Sequence, residues 1–229
     1  MRDGITAVVF DMDGLMLDTE PLYKAAWQQG CAELGFDLDE SSYSTFIGRR
    51  TVDCERELVK RFGLGFPMPR FRTRCAELWR LSAQTRGIST KPGLLALLEF
   101  VEAQGLARAI ATSSDAADAA FSLRRAGLSG RFETVVTGDQ IAHSKPAPDI
   151  YLEAARRLGR HPSECVALED SDAGIIAARA AGMVTLCVPD AKPPSEAAAR
   201  AASHVLGSLD EALGWIRARL MDDQRQRDC

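Results

Sequence analysis

At 229 residues the chain is long enough for one large domain or two small ones. Its 46% hydrophobic and 26% charged residues are ordinary for a globular protein, and a net charge of −4 supplies no electrostatic argument for nucleic acid or an anionic membrane. Six cysteines and three histidines include no Cys-x-x-Cys pair and no histidine cluster, so zinc spacing is absent and the thiols are expected to be buried and reduced. No apolar run reaches the roughly 18 residues of a membrane span, and no signal-like segment precedes Asp11, so a cytoplasmic protein, and a monomer, is expected.

The first element is the apolar run Ile5 to Phe10, whose continuous Ala7-Val8-Val9-Phe10 block suits a strand buried on both faces of a parallel sheet. Asp11, Asp13 and Gly14 follow at its carboxyl end, where open α/β sheets bind their ligands. Two residues apart, the aspartates would point the same way from an extended backbone. Such a pair of like charges is costly unless a cation or phosphoryl chemistry uses it. An Asp-rich turn with Gly14 at positive φ is the plainer alternative.

From Glu20 the composition turns helical. Leu22, Ala25, Ala26, Trp27, Cys31 and Leu34 fall near a 3.6-residue period, behind Thr19 as N-cap and Pro21 in the first turn. Further helices are predicted over 39–46, 51–62 and 69–86, punctuated by Gly63, Gly65, Pro67 and Pro69. After Pro92-Gly93 the pattern alternates. Strands are predicted over 107–111, 134–137, 165–168 and 184–188. Helices are predicted to run to Val101, over 115–126, to Leu158, over 173–181 and over 209–220. That alternation specifies α/β architecture, a parallel Rossmann-like sheet with helices on both faces.

A crossover between parallel strands needs only about a dozen residues, and the interval from Phe10 to Ala107 is far longer. The simplest solution is an inserted α-helical cap over 19–87, above the two aspartates, with the core formed by 1–18 and 88–221. Residues 222–229 then form a charged, frayed tail.

Reactive-looking groups recur at or just after four strand ends: Asp11 and Asp13, Thr112 and Ser113, Lys145, and Glu169 with Asp170. Each has a plain reading alone: an N-cap for the Thr112 run, solvated surface for Lys145, a favourable helix start for Glu169-Asp170. Together they suit phosphoryl transfer through a carboxylate nucleophile. Carboxylates of Asp11 and Asp170, with Glu169 beside them, offer hard oxygen ligands for Mg²⁺. Thr112, the following N–H groups and Lys145 would hold phosphoryl oxygens, and Asp13 would move the proton.

Asp11-Met12-Asp13-Gly14, Thr112-Ser113, Lys145-Pro146 and Glu169-Asp170 resemble the four ordered motifs of the haloacid dehalogenase-like superfamily of phosphohydrolases, specifically its β-phosphoglucomutase-like branch. The resemblance covers nearly all of the chain except the tail. It implies a Rossmann-like core with a helical cap, Asp11 as nucleophile, Asp13 as acid/base, and Thr112 and Lys145 as phosphoryl anchors. It also implies Mg²⁺ on Asp11, the Asp13 carbonyl and Asp170, with Glu169 a further candidate, and a small phosphorylated metabolite, a sugar phosphate or nucleoside monophosphate, as substrate. Dehalogenases and phosphonatases of the superfamily lack the aspartate found here at 13. Mutases of this branch carry a cap histidine where this chain has Tyr23, which favours hydrolysis over a hexose-phosphate phosphomutase reaction. Gly14 and Ser113 would contact the phosphoryl group. Arg49 and Arg50, after Gly48, could meet a second anionic group or sugar hydroxyls, or could be a solvated helix start.

Overall fold

The structure, a computed structural model, describes residues 4–46 and 51–227. Its chain divides into two compact units, one of residues 1–18 and 89–229, the other of residues 19–88.

In the first unit the strands are β1 (Ala7–Phe10), β2 (Ala107–Ala111), β3 (Thr134–Val136), β4 (Cys165–Glu169), β5 (Val184–Cys187) and β6 (His204–Val205). They form one sheet in the order β3-β2-β1-β4-β5-β6, and every pairing is parallel. The apolar block of β1 is wholly buried at all four residues because strands lie on either side and helices cover both faces. From β1 the chain steps outward to β2 and β3, then returns to place β4 on the other flank. That reversal beside β1 is a topological switch point, where the loops diverge and leave a crevice at the carboxyl ends. Register aligns the crevice: Phe10 pairs with Ile110 on one side and Leu168 on the other, so Asp11 comes level with Ala111 and Glu169, the last residues of β2 and β4.

The second unit is built from α1 (Glu20–Glu33), α2 (Glu40–Ser44), α3 (Thr51–Phe62) and α4 (Met68–Arg86). Its core is aromatic, with Trp27 edge-on to Tyr43, Phe46 and Phe71, and Phe36 packed on Phe62 and Phe66. Thr19 stands at the N-cap of α1, but its side chain makes no capping bond. Tyr23 stacks on Trp79 with ring centroids 5.6 Å apart. Arg49 and Arg50 lie outside the described residues.

The remaining helices of the first unit are α5 (Leu94–Ala103), α6 (Ala116–Arg125), α7 (Asp149–Leu158), α8 (Asp172–Ala180), α9 (Glu196–Ala201) and α10 (Leu209–Arg227). Two elements depart from the sequence expectation by addition, the six-residue α9 and the two-residue edge strand β6. A third departure is at the end of the chain. Residues 222–227 do not fray but continue α10, because Asp223 is buried at 4% exposure and accepts the Ile5 N–H at 3.2 Å. None of the described helices is long and apolar enough to cross a membrane. The five described cysteines are buried free thiols, as expected.

Candidate active site

Asp11 follows β1 directly, and its N–H donates to the Leu168 carbonyl at 3.0 Å, so the sheet's hydrogen bonding continues one residue past the strand. The chain then turns tightly. Met16 and Leu17 N–H groups both donate to the Met12 carbonyl, and the turn needs Gly14 at φ +89°. A side chain at 14 would also collide with the Asp170 carboxylate, so glycine is required there twice over. Met12 is fully buried, while Asp11 and Asp13 on either side of it reach polar partners.

Lys145 joins the motifs. Its ammonium donates to Asp11 Oδ1 at 2.5 Å, to Glu169 Oε1 at 2.6 Å and to the Ala111 carbonyl at the end of β2 at 3.0 Å. It also lies 5.2 Å above the ring of Tyr151, and its side chain is only 6% exposed. Burial alone would weaken its hold on the proton, but Asp11 and Glu169 outweigh that and raise its pKa. The lysine is therefore charged.

Glu169, the last residue of β4, is fully buried and heavily engaged. Besides Lys145, its Oε1 accepts from the Tyr151 hydroxyl at 2.6 Å. Its Oε2 accepts from the Asp170 and Ser171 N–H groups and the Ser171 hydroxyl at 3.2, 3.1 and 2.9 Å. Ser171, not Glu169 or Asp170, is the N-cap of α8, accepting the Gly174 N–H at 3.1 Å. Asp170 thus leaves the end of the sheet with its Oδ1 buried and without a hydrogen-bond partner.

Carboxylate oxygens of Asp11, Glu169 and Asp170 all lie within 4.8 Å of one another. Burial is the main reason the Asp11 carboxyl is pushed up to about 8, with Glu169 adding and Lys145 opposing. Asp170 is raised well above the usual carboxylate range for the same first reason, with Asp11 and Glu169 adding. The Asp11 shift is upward despite its ion pair because the cost of burying its charge outweighs the attraction of the Lys145 ammonium, and Glu169 adds to it. Three clustered carboxyl groups around one ammonium, with the buried Asp170 Oδ1 unpartnered, are a set of hard oxygen donors that fits a divalent cation of the Mg²⁺ type.

Thr112 follows β2, is 1% exposed, and accepts the Ser114 N–H on its hydroxyl oxygen at 3.1 Å. Ser113 is exposed at the rim. Asp115, the last residue of the Thr112-Ser113-Ser114-Asp115 run, caps α6 by accepting the Asp118 N–H at 2.8 Å, so the plain N-cap reading of that run holds at Asp115 and leaves Thr112, Ser113 and Ser114 to other partners.

The structure therefore brings Asp11, Lys145, Glu169 and Asp170 into direct contact or close approach, with Asp13, Gly14 and Thr112 adjoining them. Sequence reasoning passed over Ser114, which donates to Asp13 Oδ2 at 2.9 Å, and Tyr151, which reads as a core aromatic of an amphipathic helix. Lys91 bridges Asp18 at 3.0 Å and Asp190 at 2.5 Å.

A buried lysine and converging carboxylates at the switch point of a parallel sheet define an α/β enzyme. The chain belongs to the haloacid dehalogenase-like hydrolase family, whose model matches residues 8–188. It is 33% identical over 177 residues to a phosphorylated carbohydrates phosphatase of Thermotoga maritima, covering 77% of this chain and 82% of that one. It is 34% identical over 188 residues to a fructose-1-phosphate phosphatase of Escherichia coli, covering 80% and 96%. A crystal structure from Thermotoga maritima, provisionally called a β-phosphoglucomutase, superposes with a TM-score of 0.81 at 30% identity, covering 93% of this chain and 99% of that one.

Proposed function

We propose that this hydrolase is a Mg²⁺-dependent phosphatase of small phosphorylated metabolites, sugar phosphates or nucleoside-monophosphate-like compounds, acting through a phosphorylated Asp11. The observation that carries this reading is the Lys145 ammonium held between Asp11 and Glu169, with Asp170 beside them. Phosphatase relatives that align over most of the chain support it.

Asp11, the Asp13 carbonyl and Asp170 would hold the metal, and Glu169 would join them only by giving up hydrogen bonds it already makes. Bound there, Mg²⁺ supplies positive charge that lets an anionic nucleophile meet an anionic phosphate. An Asp11 carboxylate oxygen attacks phosphorus, and the bond to the leaving oxygen breaks. Asp13 gives that oxygen its proton. Asp13 then takes a proton from water as the water oxygen attacks phosphorus, the Asp11–phosphorus bond breaks, and inorganic phosphate leaves. Such proton transfer contributes roughly 10²–10⁴ of the rate. Lys145, Thr112 and Ser113 would grip the phosphoryl oxygens. Gly14 keeps that floor clear of a side chain. Arg49 and Arg50 are proposed to meet the remainder of the substrate.

Hydrolysis is preferred to a phosphomutase reaction because Tyr23 occupies the place of the mutases' histidine and stacks on Trp79. We read the protein as monomeric, and as cytoplasmic, the latter in keeping with the buried, unpaired cysteines among its described residues. The test is phosphate release across a panel of phosphorylated metabolites with Mg²⁺, and with p-nitrophenyl phosphate. Asp11→Asn should abolish turnover, whereas undiminished turnover in that variant would falsify the nucleophile assignment. Conversion of β-glucose 1-phosphate to glucose 6-phosphate without free phosphate, in the presence of the bisphosphate, would instead establish the mutase.

A further inference from the structure

Ser114 is pinned at every polar group it has. Its N–H donates to Thr112 Oγ1 at 3.1 Å, and its carbonyl accepts the Gly138 N–H at 2.9 Å. Gly138 lies so close beneath this loop that a Cβ there would strike the Ser113 carbonyl. The loop is thus clamped by a neighbouring side chain and by the backbone after β3. What remains to Ser114 is its hydroxyl, and that donates to Asp13 Oδ2 at 2.9 Å, across 101 residues of sequence. Helix capping does not account for the residue, because Asp115 caps α6.

We propose that Ser114 is a positioning residue for proton transfer by Asp13, an inference that rests on the acid/base role assigned to Asp13 above. Its hydroxyl fixes the rotation of the Asp13 carboxyl group, so that Oδ2 is committed to Ser114 and the proton is exchanged at Oδ1. When the leaving oxygen takes that proton, the bond between it and phosphorus breaks, and the charge left on Asp13 is stabilised by the hydroxyl donating to Oδ2. A hydrogen bond to an ionised carboxylate is stronger than one to the neutral acid, so the contact tightens as the proton departs. The need for it therefore grows with the basicity of the leaving group.

The experiment compares kcat/KM for phenyl phosphate and p-nitrophenyl phosphate, substrates of similar shape whose leaving groups differ in basicity. It uses the wild type, Ser114→Ala, Ser114→Thr and Asp13→Asn, each checked for native melting behaviour. Ser114→Ala is expected to lower the phenyl-to-nitrophenyl ratio by about tenfold, part of the roughly 10²–10⁴ that a positioned acid supplies. Ser114→Thr, which retains a hydroxyl, should restore the ratio, and Asp13→Asn should lower it further. Equal losses on both substrates in Ser114→Ala, with the ratio still collapsing in Asp13→Asn, would overturn the role of Ser114 alone. An unchanged ratio in Asp13→Asn would instead remove the acid/base assignment on which it stands.

Discussion

The Tyr151 hydroxyl donates to Glu169 Oε1 at 2.6 Å, and both residues are fully buried. Burial and the adjacent Glu169 raise the phenol's pKa well above its ordinary value, so it is the donor. Because the same oxygen also receives the Lys145 ammonium, the tyrosine shares in neutralising Glu169 and leaves part of the lysine's charge for Asp11.

Removing only that hydroxyl should expose the arrangement. Tyr151→Phe keeps the ring beneath Lys145 but deprives a buried carboxylate of one donor. The expected cost is about 1–3 kcal/mol of stability. Lys145 should also be drawn toward Glu169, lowering kcat by about tenfold, the equivalent of roughly 1.4 kcal/mol. Denaturant unfolding and steady-state kinetics check both. A variant with wild-type stability and turnover would mean the hydroxyl is incidental.

Gly174 makes the opposite of the usual helix prediction. It lies in the first turns of α8, where alanine normally stabilises by up to about 1 kcal/mol relative to glycine. Here an added Cβ would overlap the Glu169 carboxyl group, which is held from both sides and has nowhere to move. Gly174→Ala should therefore destabilise by about 1–3 kcal/mol, as overpacking does, and impair activity through Glu169 and Lys145. A raised melting temperature would show that the helix can shift away.

The metal-free protein should lose stability as pH rises. Burial holds the Asp11 carboxyl at about 8, and Asp170 is raised well above its ordinary value. A carboxyl that binds its proton more tightly when folded contributes stability that is complete below its unfolded pKa and lost as pH rises through the folded one. The melting temperature in chelator should thus fall between about pH 5 and pH 8. Paired acids such as Glu153 and Glu102 are shifted downward and act below that window. Mg²⁺, by binding the ionised forms, should flatten the slope or reverse it. Thermal melts across this range, with and without Mg²⁺, decide the matter, and a flat profile in chelator would contradict it.

Much of this site was legible because its main groups sit at ends of continuous apolar runs. Ala7 to Phe10 can be read as a central strand, so Asp11 must emerge at its carboxyl end, and the predicted strands over 107–111 and 165–168 place Thr112 and Glu169 by the same logic, although β4 runs one residue further, through Glu169. The long interval before Ala107 pointed to an inserted helical cap over 19–87, and the structure has a compact unit of residues 19–88. What escaped has no local signal. Ser114 is one of several small polar residues before a helix, and its meaning lies in Asp13 far along the chain. Tyr151 has the spacing of any core residue on α7, and only the fold puts its hydroxyl against Glu169. The His204–Val205 strand is too short and exposed for a periodic pattern, and the end of α10 is held by one buried aspartate in a charged stretch.

Lys91 supplies the last prediction. Its ammonium bridges Asp18 and Asp190, at 3.0 and 2.5 Å, where the two connections to the helical unit pair through the Asp18 N–H and the Ser89 carbonyl. A Cβ at Gly14 would touch both Asp170 and Asp190, and Asp190 adds to the upward shift of the Asp170 carboxyl. Lys91→Met removes the cation and keeps much of the stem, leaving Asp18 and Asp190 to add negative potential beside Asp170. Metal-free stability should fall by about 1 kcal/mol, a modest loss because the pair is partly solvated. Mg²⁺ should bind several-fold more tightly at low salt, and the difference should shrink as the Debye length contracts to about 3 Å at 1 M ionic strength. Calorimetric titration of Mg²⁺ at low and high salt measures this, and weaker binding in the variant would show that Lys91 acts by shaping the loop rather than through its charge.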